Sequence, residues 1–226
     1  MDSTPSVIVF DVNETLSDMS ALARYFTETG APAYLAQLWF AGLLRDGFAL
    51  AASGDNAGFA DIGAESLRGL LRPLPLNREL DQAVGHIMGA FSALTVHPDV
   101  AGGVRQLKAA GFRLVTLSNG SPEVADKLFR AAGIREDFEA LLSVQDAPAW
   151  KPAKAAYEHA VHTCGTETAG MLLVAVHPWD IHGASRAGLR TAWLNRAQAQ
   201  YPGYFQAPDY IVDSLEDLAA VLAGGA

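Results

Sequence analysis

The stretch Val7-Ile8-Val9-Phe10-Asp11-Val12-Asn13-Glu14-Thr15 decides the fold. Four apolar residues read as a short strand buried on both faces, and a carboxylate followed by a polar loop stands at its carboxyl end. Ligands of open α/β sheets bind outside the carboxyl ends of the strands, so Asp11 stands where a nucleophile or a metal ligand belongs; an Asp capping the next helix would look the same. Further apolar runs at Arg113–Leu117, Ala140–Val144, Met171–Val176, Thr191–Leu194 and Tyr210–Val212 read as strands. Amphipathic stretches at Val100–Ala110, Pro122–Ala132, Ala153–Cys164, Ile181–Ala187 and Leu215–Leu222 read as the helices between and after them. Strand and helix in alternation predict an α/β fold, a doubly wound parallel sheet covered on both faces.

Roughly a hundred residues separate the first strand from the second, far more than one crossover needs. Ser20–Glu28, Pro32–Ala52, Ala64–Leu71 and Leu80–Ala93 place apolar residues at helical spacing, with no convincing strand among them. A small helical cap is therefore expected over residues 17–94, inserted after the first strand of a core formed by 1–16 and 95–226.

Composition narrows the function. The 226 residues are 50% hydrophobic and 18% charged, which excludes disordered and collagen-like classes. Sixteen Lys and Arg stand against twenty-five Asp and Glu, a net charge of −9 without a basic cluster, so nucleic acid and anionic membranes are not expected partners. The single cysteine, Cys164, allows no intrachain disulfide. The amino-terminal residues lack a basic region ahead of an apolar run, so neither a signal peptide nor a membrane span is expected, and a cytoplasmic location is the default.

Each core strand runs into a polar cluster. After the second comes Leu117-Ser118-Asn119-Gly120-Ser121-Pro122, where hydroxyl, amide and backbone donors precede a helix and can hold an anion. After the third comes Lys151-Pro152, either a solvated lysine or a fixed cation beside the nucleophile. The fourth leads into His177-Pro178-Trp179-Asp180. Topology gathers all four clusters at one sheet edge.

These residues resemble the haloacid dehalogenase superfamily, and within it the type II 2-haloacid dehalogenases. Asp11 with Thr15, the LSNGSP segment, the LLSV segment with Lys151-Pro152, Tyr157, and Trp179-Asp180 followed by Gly183-Ala184 match in order and spacing over essentially the whole chain. The resemblance implies that Asp11 attacks C2 of a small carboxylic acid and forms an ester, which water then hydrolyses. It implies that Lys151 keeps Asp11 ionised, that Asp180 helps place Lys151 and the water, and that Thr15 steadies the loop. Ser118 and Asn119 would bind the substrate carboxylate, with Asn13, Trp39, Phe40, Tyr157, His177 and Trp179 as further substrate contacts. A homodimer is implied as well. No cofactor and no metal are expected: Asn13 stands where phosphatase relatives carry an Asp, and Val176-His177 where they add an acidic ligand.

The pattern departs from type II dehalogenases where the halide is held. Trp39 is followed by Phe40 instead of an Arg, and the nearest cation on that helix is Arg45. His177 replaces an Asn, and Ala175 a Ser. Two enzymatic readings stay open. One is a 2-haloacid dehalogenase with the halide held by His177 and aromatic edges. The other is a hydrolase that opens a cyclic amino acid such as L-azetidine-2-carboxylate, whose cationic leaving group would favour Phe40 over an arginine. Phe40 as plain core packing, a phosphatase, and a silent binding protein are the remaining alternatives.

Overall fold

The computed structural model describes residues 5–224, which fall into two compact units, 5–17 with 95–224, and Asp18–Leu94. The strands are β1 (Val7–Phe10), β2 (Ser17–Asp18), β3 (Thr95–Val96), β4 (Arg113–Ser118), β5 (Ala140–Ser143), β6 (Met171–Ala175), β7 (Arg190–Leu194) and β8 (Tyr210–Val212). The helices are α1 (Leu22–Thr27), α2 (Leu35–Ser53), α3 (Phe59–Leu71), α4 (Leu80–Phe91), α5 (Val100–Ala109), α6 (Pro122–Ala131), α7 (Lys154–Thr163), α8 (Pro178–Ala187) and α9 (Leu215–Gly224).

In the larger unit six strands form one sheet in the order β5-β4-β1-β6-β7-β8, every neighbouring pair parallel. The chain winds outward from β1 through β4 to β5, then returns to β1's other side at β6, so the winding reverses at β1. This reversal leaves the ligand crevice of such sheets at β1's carboxyl end. Register fixes what meets there: Phe10 lies opposite Thr116 of β4 and Val174 of β6. Side chains alternate along the strand, so Ile8 and Phe10 pack with Val104 of α5, Phe129 of α6 and Leu218 of α9, while Val7 and Val9 pack with Tyr157 of α7 and Ile181 of α8. Both faces are dry, which is why β1 carries no polar residue before Asp11.

The smaller unit contains α1 to α4. Its core is aromatic: the Trp39 ring lies 6.2 Å from Phe26 and 5.7 Å from Phe91, and its indole N–H donates to the Gly63 carbonyl at 2.9 Å. Gly63 permits the approach, since a Cβ there would stand 3.1 Å from Leu43 Cδ1.

Two expectations are corrected. The inserted region was read as free of strands, yet the chain forms the short pair β2–β3 at its two ends; two residues are too few to show a period. Helix α8 begins at Pro178 instead of Ile181, because proline is pre-organised for the first helical position. Trp179 and Asp180 consequently occupy a first helical turn. Among the described residues no helix is long and apolar enough to cross a membrane.

Two adjacent glycines on α5 test the packing of this unit. A Cβ on Gly103 would clash with Leu215 Cβ and stand 2.7 Å from the Leu215 carbonyl carbon, whereas one on Gly102 would meet only the movable tip of Glu216. Thermal melts should show Gly103→Ala destabilised by about 1–3 kcal/mol through overpacking. Gly102→Ala should be neutral or more stable, by up to about 1 kcal/mol from helix propensity.

Candidate active site

Four strand ends deliver the polar groups as the topology requires. Asp11 follows β1, and its backbone N–H continues the sheet ladder to the Val174 carbonyl at 3.0 Å, so the nucleophile candidate is fixed to rigid backbone. The next residues turn back sharply. Thr15 is buried, its hydroxyl donating to Asp11 Oδ2 at 2.6 Å while its Oγ1 accepts from the Val176 N–H at 3.1 Å. The Thr15 carbonyl accepts from Arg196 Nη2 at 3.1 Å, and Arg196 is itself held by Asp99 at 2.8 Å.

Lys151 is wholly buried, and its ammonium donates to Asp11 Oδ1 at 2.9 Å and to Asp180 Oδ2 at 2.6 Å. Asn119 fixes the chain that carries it, its amide oxygen accepting from the Lys151 N–H at 3.0 Å and its amide nitrogen donating to the Lys151 carbonyl at 3.2 Å. Asp180 is also wholly buried, and its Oδ1 accepts from the Tyr157 hydroxyl at 2.6 Å. Gly183 makes this approach feasible, because a Cβ there would stand 2.6 Å from the Tyr157 hydroxyl and 2.7 Å from Pro152 Cβ.

His177 lies on the other side of Asp11. Its Nδ1 is 3.2 Å from Asp11 Oδ2, its Nε2 is 2.8 Å from Glu14 Oε2, and its ring stacks on Trp179 at 5.0 Å. The Lys151 ammonium sits 5.9 Å from the Trp179 ring centroid.

Burial alone would neutralise these charges, and their mutual contacts oppose that. For Asp11, burial pushes the carboxyl up but the Lys151 charge and the His177 hydrogen bond outweigh it and hold the group well below the usual carboxylate range. Burial pulls the Lys151 ammonium down, and the two carboxylates beside it more than reverse that. Burial likewise opposes the charged His177 ring, yet its hydrogen bonds to Asp11 and Glu14 raise it to about 9. Burial pushes the Asp180 carboxyl up, against the pull of Lys151 and with the charge of Asp11 adding to the push. The site can therefore hold an ionised carboxylate nucleophile flanked by two cations at neutral pH.

Asp11, Thr15, Lys151, Asp180, Tyr157 and His177 are joined in one chain of hydrogen bonds. Ser118 and Asn13 stand beside Gly120, where a Cβ would lie 3.3 Å from Ser118 Oγ and 3.4 Å from Asn13 Nδ2. Three of the expected substrate contacts have other tasks here. Both ends of the Asn119 amide are engaged by the Lys151 backbone, the Tyr157 hydroxyl is engaged by Asp180, and Trp39 belongs to the aromatic core of the helical unit. Phe40 lies in that same unit, its ring 6.4 Å from Phe59 and 6.5 Å from Phe91, and Arg45 points its 75% exposed side chain to Asp46.

A family model of haloacid dehalogenase-like hydrolases matches residues 5–188, most of the chain. The chain belongs to this family. Among curated relatives of this hydrolase, haloacetate dehalogenase H-2 of Moraxella sp. (strain B) is 28% identical over 96% of this chain and 97% of its own length. The (S)-2-haloacid dehalogenase 4A of Burkholderia cepacia is 31% identical over 95% and 94%. The L-2-haloacid dehalogenase of Xanthobacter autotrophicus, solved with chloropropionic acid covalently bound, superposes with a TM-score of 0.86 at 26% identity over 98% of this chain and 100% of that one. A second dehalogenase, solved with an intermediate complex, gives 0.91 at 27% identity over 98% of each chain. The chain is a haloacid dehalogenase-type hydrolase.

Sequence reasoning missed Glu14 and the Asp99–Arg196 pair. Glu14 adopts φ 62°, a left-handed conformation that periodicity does not signal in a non-glycine residue. Arg196 and Asp99 are far apart in the sequence and meet only through the fold.

The His177 contacts also predict how stability varies with pH. A histidine raised from 6.5 to about 9 on folding adds stability that is complete below about 6.5 and lost as pH rises through about 9. Chemical denaturation from pH 6 to 10 should show this fall, integrating to at most about 3 kcal/mol, and His177→Asn should flatten it.

Proposed function

We propose that the chain is a 2-haloacid dehalogenase that converts small (S)-2-haloacids to 2-hydroxy acids through an ester on Asp11. The observation that carries this reading is the wholly buried Lys151 ammonium bridging Asp11 Oδ1 and Asp180 Oδ2. Its charge keeps Asp11 anionic. An Asp11 oxygen forms a bond to C2 while the C2–halogen pair leaves as halide, inverting the centre. Water then adds to the Asp11 carboxyl carbon and expels the 2-hydroxy acid, and one proton passes to solvent. Asp11 is regenerated with an oxygen from water.

Ser118 and Asn13 are the proposed partners of the substrate carboxylate, since their polar side chains stand together beside Gly120. Asn119 and Tyr157 act indirectly, one holding the Lys151 backbone and the other holding Asp180. With no arginine after Trp39, His177 is the cation nearest the nucleophile apart from Lys151, and it favours an anionic leaving group. A departing ammonium would be repelled by it. The ring-opening alternative thus loses its physical motive, and the relatives named above, all dehalogenases, lend it no support.

Halide release from each 2-chloropropionate enantiomer, followed with EDTA present beside L-azetidine-2-carboxylate, tests the reading. The expected result is halide and lactate from the (S) enantiomer, with Asp11→Asn and Lys151→Met each reduced at least about 1,000-fold. Ring opening without halide release would contradict it.

A further inference from the structure

Asp180 accepts at both carboxylate oxygens, from Tyr157 and from Lys151, and is wholly buried. It is poorly placed to take a proton from water, yet hydrolysis of an Asp11 ester needs an acceptor. A different pair is built for that task. Glu14 Oε2 lies 2.8 Å from one ring nitrogen of His177, and the other ring nitrogen is directed at the Asp11 carboxyl. A carboxylate on one nitrogen fixes which tautomer an imidazole adopts and leaves the other nitrogen for the reacting group. Glu14 is also held deliberately. It adopts φ 62°, unfavourable for a residue with a side chain, and is kept there by His97 Nε2 donating to its carbonyl at 3.0 Å and by its own N–H donating to Ser17 Oγ at 3.2 Å.

We propose that His177, oriented by Glu14, is the general base that takes the proton of the water hydrolysing the Asp11 ester. The proposal rests on the aspartyl-ester reading. In the free enzyme His177 is protonated and donates from Nδ1 to the Asp11 carboxylate. Forming the ester removes that negative charge, so the Nδ1 proton leaves to solvent and Nε2–H stays on Glu14. The bare Nδ1 accepts a proton as the water oxygen bonds to the Asp11 carboxyl carbon. That proton passes to the departing alkoxide as the ester C–O bond breaks, and the remaining proton of the attacking water returns to His177 from the regenerated Asp11 carboxyl. One water is consumed, and one proton reaches solvent per turnover. Asp11 and Glu14 both face the ring; Lys151 and Asp180 lie beyond Asp11, and Arg196 and His97 bind the backbone of the loop carrying Glu14.

Two measurements test the proposal. In single turnovers with 2-chloropropionate, wild type should release halide and then lactate, while His177→Asn, which also loses the cation that favours halide departure, should still release halide, more slowly, with ester hydrolysis slowed further, by at least about 100-fold. The ester should then accumulate on the intact protein by mass spectrometry, and Glu14→Gln should shift the alkaline limb of the wild-type pH profile downward. Because a His177 variant can fail to fold, the second measurement follows the His177 ring by NMR in wild type and in Asp11→Asn, a neutral mimic of the ester. The ring should titrate at least about one unit lower in the variant. An unshifted His177 titration, or ester hydrolysis in His177→Asn at the wild-type rate, overturns the proposal while halide release by wild type leaves the dehalogenase reading standing. Wild type that releases no halide overturns both.

Discussion

The Lys151 ammonium between two buried carboxylates is the constraint on which the site depends. A lone buried charge is strongly disfavoured, and a buried pair persists only when further hydrogen bonds satisfy its remaining oxygens. Here Lys151 stands between Asp11 and Asp180, Tyr157 serves the second oxygen of Asp180, and Thr15 and His177 serve the second oxygen of Asp11. With His177 protonated, two cations meet two buried anions. Removing one ion unbalances the charge of its partners, so the network is held as a unit by residues that follow β1, β5 and β6.

The fold supplies the rigidity this arrangement needs. Asp11 is anchored by the ladder bond to Val174, Lys151 by the Asn119 clamp on its backbone, and Asp180 by a helical turn started at Pro178. Close approach between α7 and α8 depends on Gly183, whose hydrogen leaves space for the Tyr157 hydroxyl. The glycine matters here for what it leaves unfilled.

Much of this was legible in residue order. The run Val7 to Phe10, dry on both faces, marks a central parallel strand, and residues after successive parallel strands must share one edge. That reasoning assembles Asp11, Lys151 and Asp180 without coordinates. What it could not reach were tasks set by side-chain direction. Asn119 and Tyr157 carry the right chemistry for a substrate but spend it on Lys151 and Asp180, and Trp39 spends its N–H on Gly63. Glu14 was hidden for another reason: a left-handed turn has no periodicity, and its partner His177 lies 163 residues away.

The central claim is that Asp11, held ionised by Lys151, carries the substrate as an ester whose carboxyl carbon is attacked by water. A single turnover with enzyme in excess over 2-chloropropionate in ¹⁸O-labelled water tests it most directly. The label is predicted in the Asp11 carboxylate, with none in the hydroxyl of the first lactate released; label in that hydroxyl and none in Asp11 would mean that water attacks C2 itself and would contradict the account.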